Sequence, residues 1–408
     1  MDAAPPHDQA PPADAAAPAM RDLSPRAQRN WGRAALAWQT LGWALLALMV
    51  LMLAPQLSYR LPAAIVLVLV PACLSALLVH EGGHWIAARR CAMAVASVGI
   101  GPLELQPRRR GLRVRLRSRR GRQRDYDGWV LAYPDPRRDL RGDAIALAWG
   151  GCAANLAVAA VCAAAALWWQ DVFGRTVALL LATMHGLTGT LNLLPYPVGG
   201  HSPTDGLTLW RLRRNRYEDL PGASVKRFFG HLSMGLDPND LPPELLRRMA
   251  AEDEPMPLLL DWLAFAIALD RNDEAAAGAL RQRLRERVEA CPQPLRESLA
   301  DLLALCELHW AFHRALWHRG GAAAAELELL NPRARWLWPL PHLAPRVRAL
   351  AAALRGEGAR ARHWLERSRR YAQNDPTPGL AAYEAGLRER VAALIDTPTP
   401  SATAGQAA

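Results

Sequence analysis

His80, Glu81 and His84 stand in the order His-Glu-x-x-His. Four residues apart on a helix, two imidazoles share a face and can reach one Zn²⁺, while the carboxylate beside them serves as general base for an attacking water. A zinc site built for hydrolysis takes three protein ligands and keeps one position open. Asp205, in Pro203-Thr204-Asp205-Gly206, is the leading candidate for the third ligand, and His201 in the same loop is its competitor. A carboxylate leaves a divalent site with less net charge to bury than a third imidazole would. One ion is expected. A motif this short arises by chance in many chains, so its surroundings decide its weight.

Those surroundings are apolar. Four blocks, about 34–54, 62–88, 144–169 and 176–196, each have the roughly 20 residues a membrane-crossing helix needs. The His-Glu-x-x-His motif lies in the second, where two histidines and a glutamate are costly to insert and mark a functional interior. A polar packing cluster or a proton pathway are the plainer readings of the same residues. Arg21, Arg26, Arg29 and Arg33 precede the first block, 15 Arg against 6 Asp/Glu fill residues 86–143, and Arg211, Arg213, Arg214 and Arg216 follow the fourth. The short connectors 55–61 and 170–175 carry only Arg60 and Arg175. Loop charge therefore places both termini and the 86–143 loop in the cytoplasm. The motif and the end of the fourth block then fall at one depth, on the cytoplasmic side, and Asp205 follows just beyond.

Asn192-Leu193-Leu194-Pro195 ends the fourth block, and Asp205-Gly206 comes later. A membrane-embedded His-Glu-x-x-His followed by Asn-x-x-Pro and then Asp-Gly resembles the site-2 protease family of intramembrane zinc metalloproteases. Asp205 trails Asn192 by thirteen positions, more than is common there, and the glycines and prolines between them suggest a widened loop. Gly150-Gly151-Cys152-Ala153-Ala154-Asn155 is similar to the family's Gly-Pro-x-x-Asn segment, with Cys152 in place of proline. The resemblance spans residues 60–210. It implies zinc held by His80, His84 and Asp205, with Glu81 as base and Asn155 and Asn192 as further site residues. It also implies cleavage of a transmembrane protein substrate, in or next to its membrane span, in regulated intramembrane proteolysis. His185 reads as polar packing, Asn192 otherwise as a capping residue, and the glycines otherwise as close helix contacts.

Composition narrows the alternatives. The formal net charge is +11 and Lys226 is the single lysine, yet most of the excess sits between apolar blocks, where an orientation signal explains it better than nucleic acid does. Six cysteines show no paired spacing, so neither a disulfide scaffold nor cysteine-ligated zinc is expected. Leu112-Arg113-Val114-Arg115-Leu116-Arg117 alternates with the period of a strand, and Gly111, Gly121 and Gly128 punctuate it, predicting a short sheet near the membrane surface. Such an edge could hold a substrate as an added strand, or the basic loop could rest on anionic lipid.

The expected architecture is an all-α polytopic membrane protein with about four spans, a short β-like surface loop and a C-terminal soluble helical domain, either tetratricopeptide-like or a plain bundle. Its parts are a disordered cytosolic tail (1–33), the membrane core (34–210), a linker (211–254), a helical interaction domain (255–396) that could take a cytosolic partner, and a disordered tail (397–408). His309 and His313 read as exposed histidines among arginines. Ala, Arg and Pro usage points to a bacterial inner membrane. Two other functions stay open: a catalytically silent membrane scaffold, which the intact Glu81 disfavours, and a metal or proton transporter, which four spans without a repeat disfavour.

Overall fold

The computed structural model describes residues 20–55, 65–116, 128–198, 202–319, 321–329 and 337–396. Residues 1–19 of the tail assigned to 1–33, the tail 397–408, His201 and Gly121 lie outside the described residues. Among the described residues, four helices are long and apolar enough to cross a membrane: Pro25–Leu53 (α1), Val66–Arg90 (α2), Leu140–Trp168 (α3) and Val172–Leu193 (α4). The shortest has 22 residues, about 33 Å at 1.5 Å per residue, enough for a hydrocarbon core. Leu36, Leu48, Leu78, Val161 and Leu167 point outward from these helices, a surface suited to lipid.

Three helices, α1, α3 and α4, start earlier than their apolar blocks, and caps explain α1 and α4. The Ser24 hydroxyl accepts from the Ala27 N–H ahead of Pro25, so α1 opens inside the stretch read as a tail. Asp171 caps α4 by accepting from the Gly174 N–H at 2.6 Å. Leu46, Val50 and Leu53 of α1, Ala72 and Ala76 of α2, and Leu180, Met184 and Leu187 of α4 share one buried core. Gly189 of α4 lets α3 come close: a Cβ there would sit 3.2 Å from the Cys152 carbonyl oxygen.

The chain divides into two compact units, Met1–His80 with Leu140–Ala223 and Glu81–Asp139 with Ser224–Ala408. The division falls inside the continuous helix α2, so it differs from a boundary drawn at residue 210. In the second unit a four-stranded antiparallel sheet follows α2: Ala94–Ile100 (β1), Leu103–Pro107 (β2), Leu112–Leu116 (β3) and Gly128–Tyr133 (β4), in the order β3-β2-β1-β4. The alternating segment forms β3, turned by Gly111 at φ +89°.

In the first unit, Pro197–Val198 (β5) and Ser202–Pro203 (β6) form a two-stranded ladder before the helix Asp205–Arg214 (α5). The segment read as a linker is folded. Its helices Ala223–Ser233 (α6) and Pro243–Ala251 (α7) bury Phe228, Leu245 and Met249 against Leu259 and Leu263 of Met256–Asp270 (α8). Helical spacing of these apolar residues was the available signal. Beyond α8 come Glu274–Ala290 (α9), Gln293–His318 (α10), Gly321–Leu329 (α11), Leu343–Leu354 (α12), Gly358–Gln373 (α13) and Pro378–Asp396 (α14). Their apolar faces fill two cores, one across α8 to α10 and one across α10 to α14.

The β2–β3 turn is clasped by the last helices. Arg108 pairs with Asp375, and the Arg110 N–H donates to Asn374 Oδ1 at 2.7 Å while Asn374 Nδ2 donates back to the Arg110 carbonyl at 3.1 Å. The Arg113 guanidinium lies 3.9 Å from the centre of the Trp338 ring and donates to the Trp338 carbonyl.

His313 corrects the expectation of exposed histidines. It is fully buried, and both ring nitrogens lack a hydrogen-bond partner among the described residues. Trp317, Phe312 and the Arg346 guanidinium crowd this region, with Glu384 pairing to both Arg346 and His342. Burial, then the positive charge of Arg346, pushes His313 down to about 3. Burial outweighs the attraction of Glu384 and brings His342 to about 4. An unfolded histidine titrates near 6.5, so the unfolded chain takes up protons that the folded domain refuses. Stability is full above about pH 6.5 and falls as pH drops toward the folded values, by about 1.4 kcal/mol per pH unit for each histidine. The urea midpoint of the tryptophan-fluorescence transition should therefore fall between about pH 7 and about pH 5, and His313→Leu should flatten that slope. An unchanged midpoint would show that these rings are not held neutral.

Candidate metal centre

Helix α2 carries His80 and His84 one turn apart, and α5 begins at Asp205. One ligand atom from each lies within 4.8 Å of the others, a spacing one metal ion can bridge. His80 Nε2 is 3.3 Å from Asp205 Oδ2. His80, Glu81 and His84 are buried. Two imidazoles and one carboxylate form a donor set that suits zinc, and the set is compact without rearrangement. The residues fit the ion.

Asp205 reaches this place because its helix is fixed at both ends. Thr204 is the N-cap: its hydroxyl accepts from the Leu207 N–H at 3.2 Å and donates to the Leu194 carbonyl at 2.6 Å. Its own N–H donates to the Tyr196 carbonyl. The β5–β6 ladder pairs Val198 with Ser202, so the two ends of the loop stay together. At the far end, the Arg141 guanidinium donates to the Leu212 and Arg213 carbonyls, and Arg211 pairs with Asp22. The Asp-Gly pair has a steric reason. A Cβ on residue 206 would lie 2.0 Å from the Leu193 carbonyl oxygen, so only glycine allows α5 to start against the end of α4.

Comparison with known family models, curated proteins and solved structures returns no match. The site therefore has to be read from its own geometry.

Asn155 joins the cluster. It is fully buried on α3, with Nδ2 3.1 Å from His80 Nδ1 and Oδ1 2.8 Å from His185 Nδ1. Asn192 is engaged within its own helix, its Nδ2 donating to the Thr188 carbonyl at 3.0 Å. Sequence alone did not bring four further residues to this cluster, although His185 already reads as polar packing there. The Cys152 thiol donates to Asp205 Oδ2 at 3.4 Å, His185 contacts Asn155, and Ser75 contacts His185. The fourth is Gly128, at the start of the edge strand β4. A Cβ there would fall 2.2 Å from Glu81 Oε1, so backbone and carboxylate touch. The one sequence cue was a glycine opening an otherwise apolar strand, the mark of a close backbone approach.

Two outcomes test this arrangement. Asp205→Ala should lose bound zinc in metal analysis of the purified protein, whereas His201→Ala should keep it; loss confined to the His201 variant would reassign the ligand. Gly128→Ala should keep bound metal but displace the Glu81 carboxylate from its wild-type position in a structure of the variant. An unmoved carboxylate in that variant would remove the strand from the site.

Proposed function

We propose that the chain is an intramembrane zinc endopeptidase that hydrolyses a peptide bond in or next to a transmembrane segment of a membrane protein. The observation that carries this reading is the convergence of His80, His84 and Asp205 beside Glu81, on helices apolar enough to cross a bilayer. A zinc ion held by these three ligands would acidify an attacking water and polarise the scissile carbonyl. Glu81 takes the proton from that water as oxygen adds to the carbonyl carbon. It then delivers the proton to the leaving amine as the C–N bond breaks. Asn155 holds the ring of His80. Strand β4 offers an open edge among the described residues, with its first residue against Glu81, so an extended substrate could add there as a further strand.

The loop charges support both termini in the cytoplasm, and the composition supports a bacterial inner membrane. The antiparallel helical pairs from α8 to α14 support a tetratricopeptide-like module for a cytosolic partner. Its contacts with the β2–β3 turn suit a regulatory role better than a silent scaffold, since that turn belongs to the sheet reaching Glu81.

Glu81→Gln should keep zinc near one ion per chain and lower cleavage of a single-pass membrane substrate in proteoliposomes by about 10²–10⁴-fold or more. Cleavage at the wild-type rate would take Glu81 out of the mechanism.

A further inference from the structure

We propose that Ser75, Asn155 and His185 form a hydrogen-bond relay that sets the tautomer of His80 and so prepares its Nε2 as a metal ligand. This rests on the metalloprotease reading and assigns positioning roles to two residues which that reading does not use.

The relay starts and ends on α2. The Ser75 hydroxyl lies 2.8 Å from the Ala72 carbonyl and 3.3 Å from His185 Nε2. His185 Nδ1 lies 2.8 Å from Asn155 Oδ1, and Asn155 Nδ2 lies 3.1 Å from His80 Nδ1; the oxygen and nitrogen ends of the amide exchange by a half-turn of its terminal group. Asn155 and His185 are both buried, at 0% and 2% exposure, so water cannot replace these bonds.

A serine has one proton to give, a neutral imidazole carries one, and an amide has a donor end and an acceptor end. Two patterns fit the same heavy atoms. In the first, Ser75 donates to Ala72 and accepts from His185 Nε2–H. His185 Nδ1 must then accept, so the amide turns its NH₂ toward it and its oxygen toward His80. That oxygen accepts from His80 Nδ1–H and leaves Nε2 with a bare lone pair. In the second, every bond is reversed. Ser75 gives up Ala72 and donates to His185, and His80 carries its proton on Nε2, aimed at Asp205.

Only the first pattern lets His80 bind a metal through Nε2, the atom facing Asp205. Ser75 favours it, because the hydroxyl is closer to the Ala72 carbonyl than to the imidazole, and hydrogen bonds weaken with distance. The second instead points Nε2–H at the carboxylate. Partners behind a ligating histidine fix its ring and tautomer, and losing one typically costs roughly 10–100-fold in metal affinity.

The test uses the full-length chain in detergent, with zinc affinity measured by competition against a chromophoric chelator. Asn155→Leu should weaken binding by roughly 10–100-fold, and Ser75→Ala, which alters no group near the metal, by about tenfold. Ser75→Thr restores the hydroxyl and should restore affinity. In protein labelled with heavy nitrogen in histidine and loaded with NMR-active cadmium, His80 should couple to the metal through Nε2 while Nδ1 keeps its proton. Coupling through Nδ1, or wild-type affinity in both Ser75→Ala and Asn155→Leu, would overturn the relay and leave the metalloprotease reading standing. Failure of the wild-type chain to take up zinc would remove the metal site and the relay together.

Discussion

Burying imidazoles, an amide and a carboxylate among apolar helices costs about 1–3 kcal/mol for every group left without a partner. That cost shapes the first unit. Helix α3 brings Asn155 between two histidines, α4 brings His185, and α5 brings Asp205 to His80. Glycine makes the approach possible: Gly189 lets α3 and α4 touch, and Gly206 seats α5 on the end of α4. The polar ring and the small-residue contacts are two halves of one solution.

Local spacing explains what could be read beforehand. Two histidines four apart on an apolar helix announce themselves, because the helix repeat alone puts them together. Asp205 was reachable from residue type and depth. The relay was not, because Ser75 and His185 are 110 positions apart and neither residue type is unusual in a helix. The β5–β6 ladder was also hidden. Pro197 and Pro203 read as breakers of regular structure, yet two short paired segments are enough to close that loop.

In the second unit, helices were legible and their environments were not. Composition announced a helical domain over 255–396, while His313 looked like an ordinary surface residue beside arginines until the fold enclosed it. Ser24 and Asp171 show a different kind of miss. Their capping signals were present, but hydropathy set the helix starts and overrode them. The clasp of Asn374 and Asp375 on the β2–β3 turn left no trace in either segment.

That clasp has a consequence for biosynthesis. Arg108 and Asp375 are 267 positions apart, and a ribosome adds roughly 5–20 residues per second. The turn therefore waits roughly 13 to 53 s after its own synthesis before its partner exists. Throughout that interval the nascent membrane helices are already made, while the sheet that touches Glu81 lacks its outer support. The strand edge beside Glu81 would thus gain its outer support only once Asn374 and Asp375 have been made.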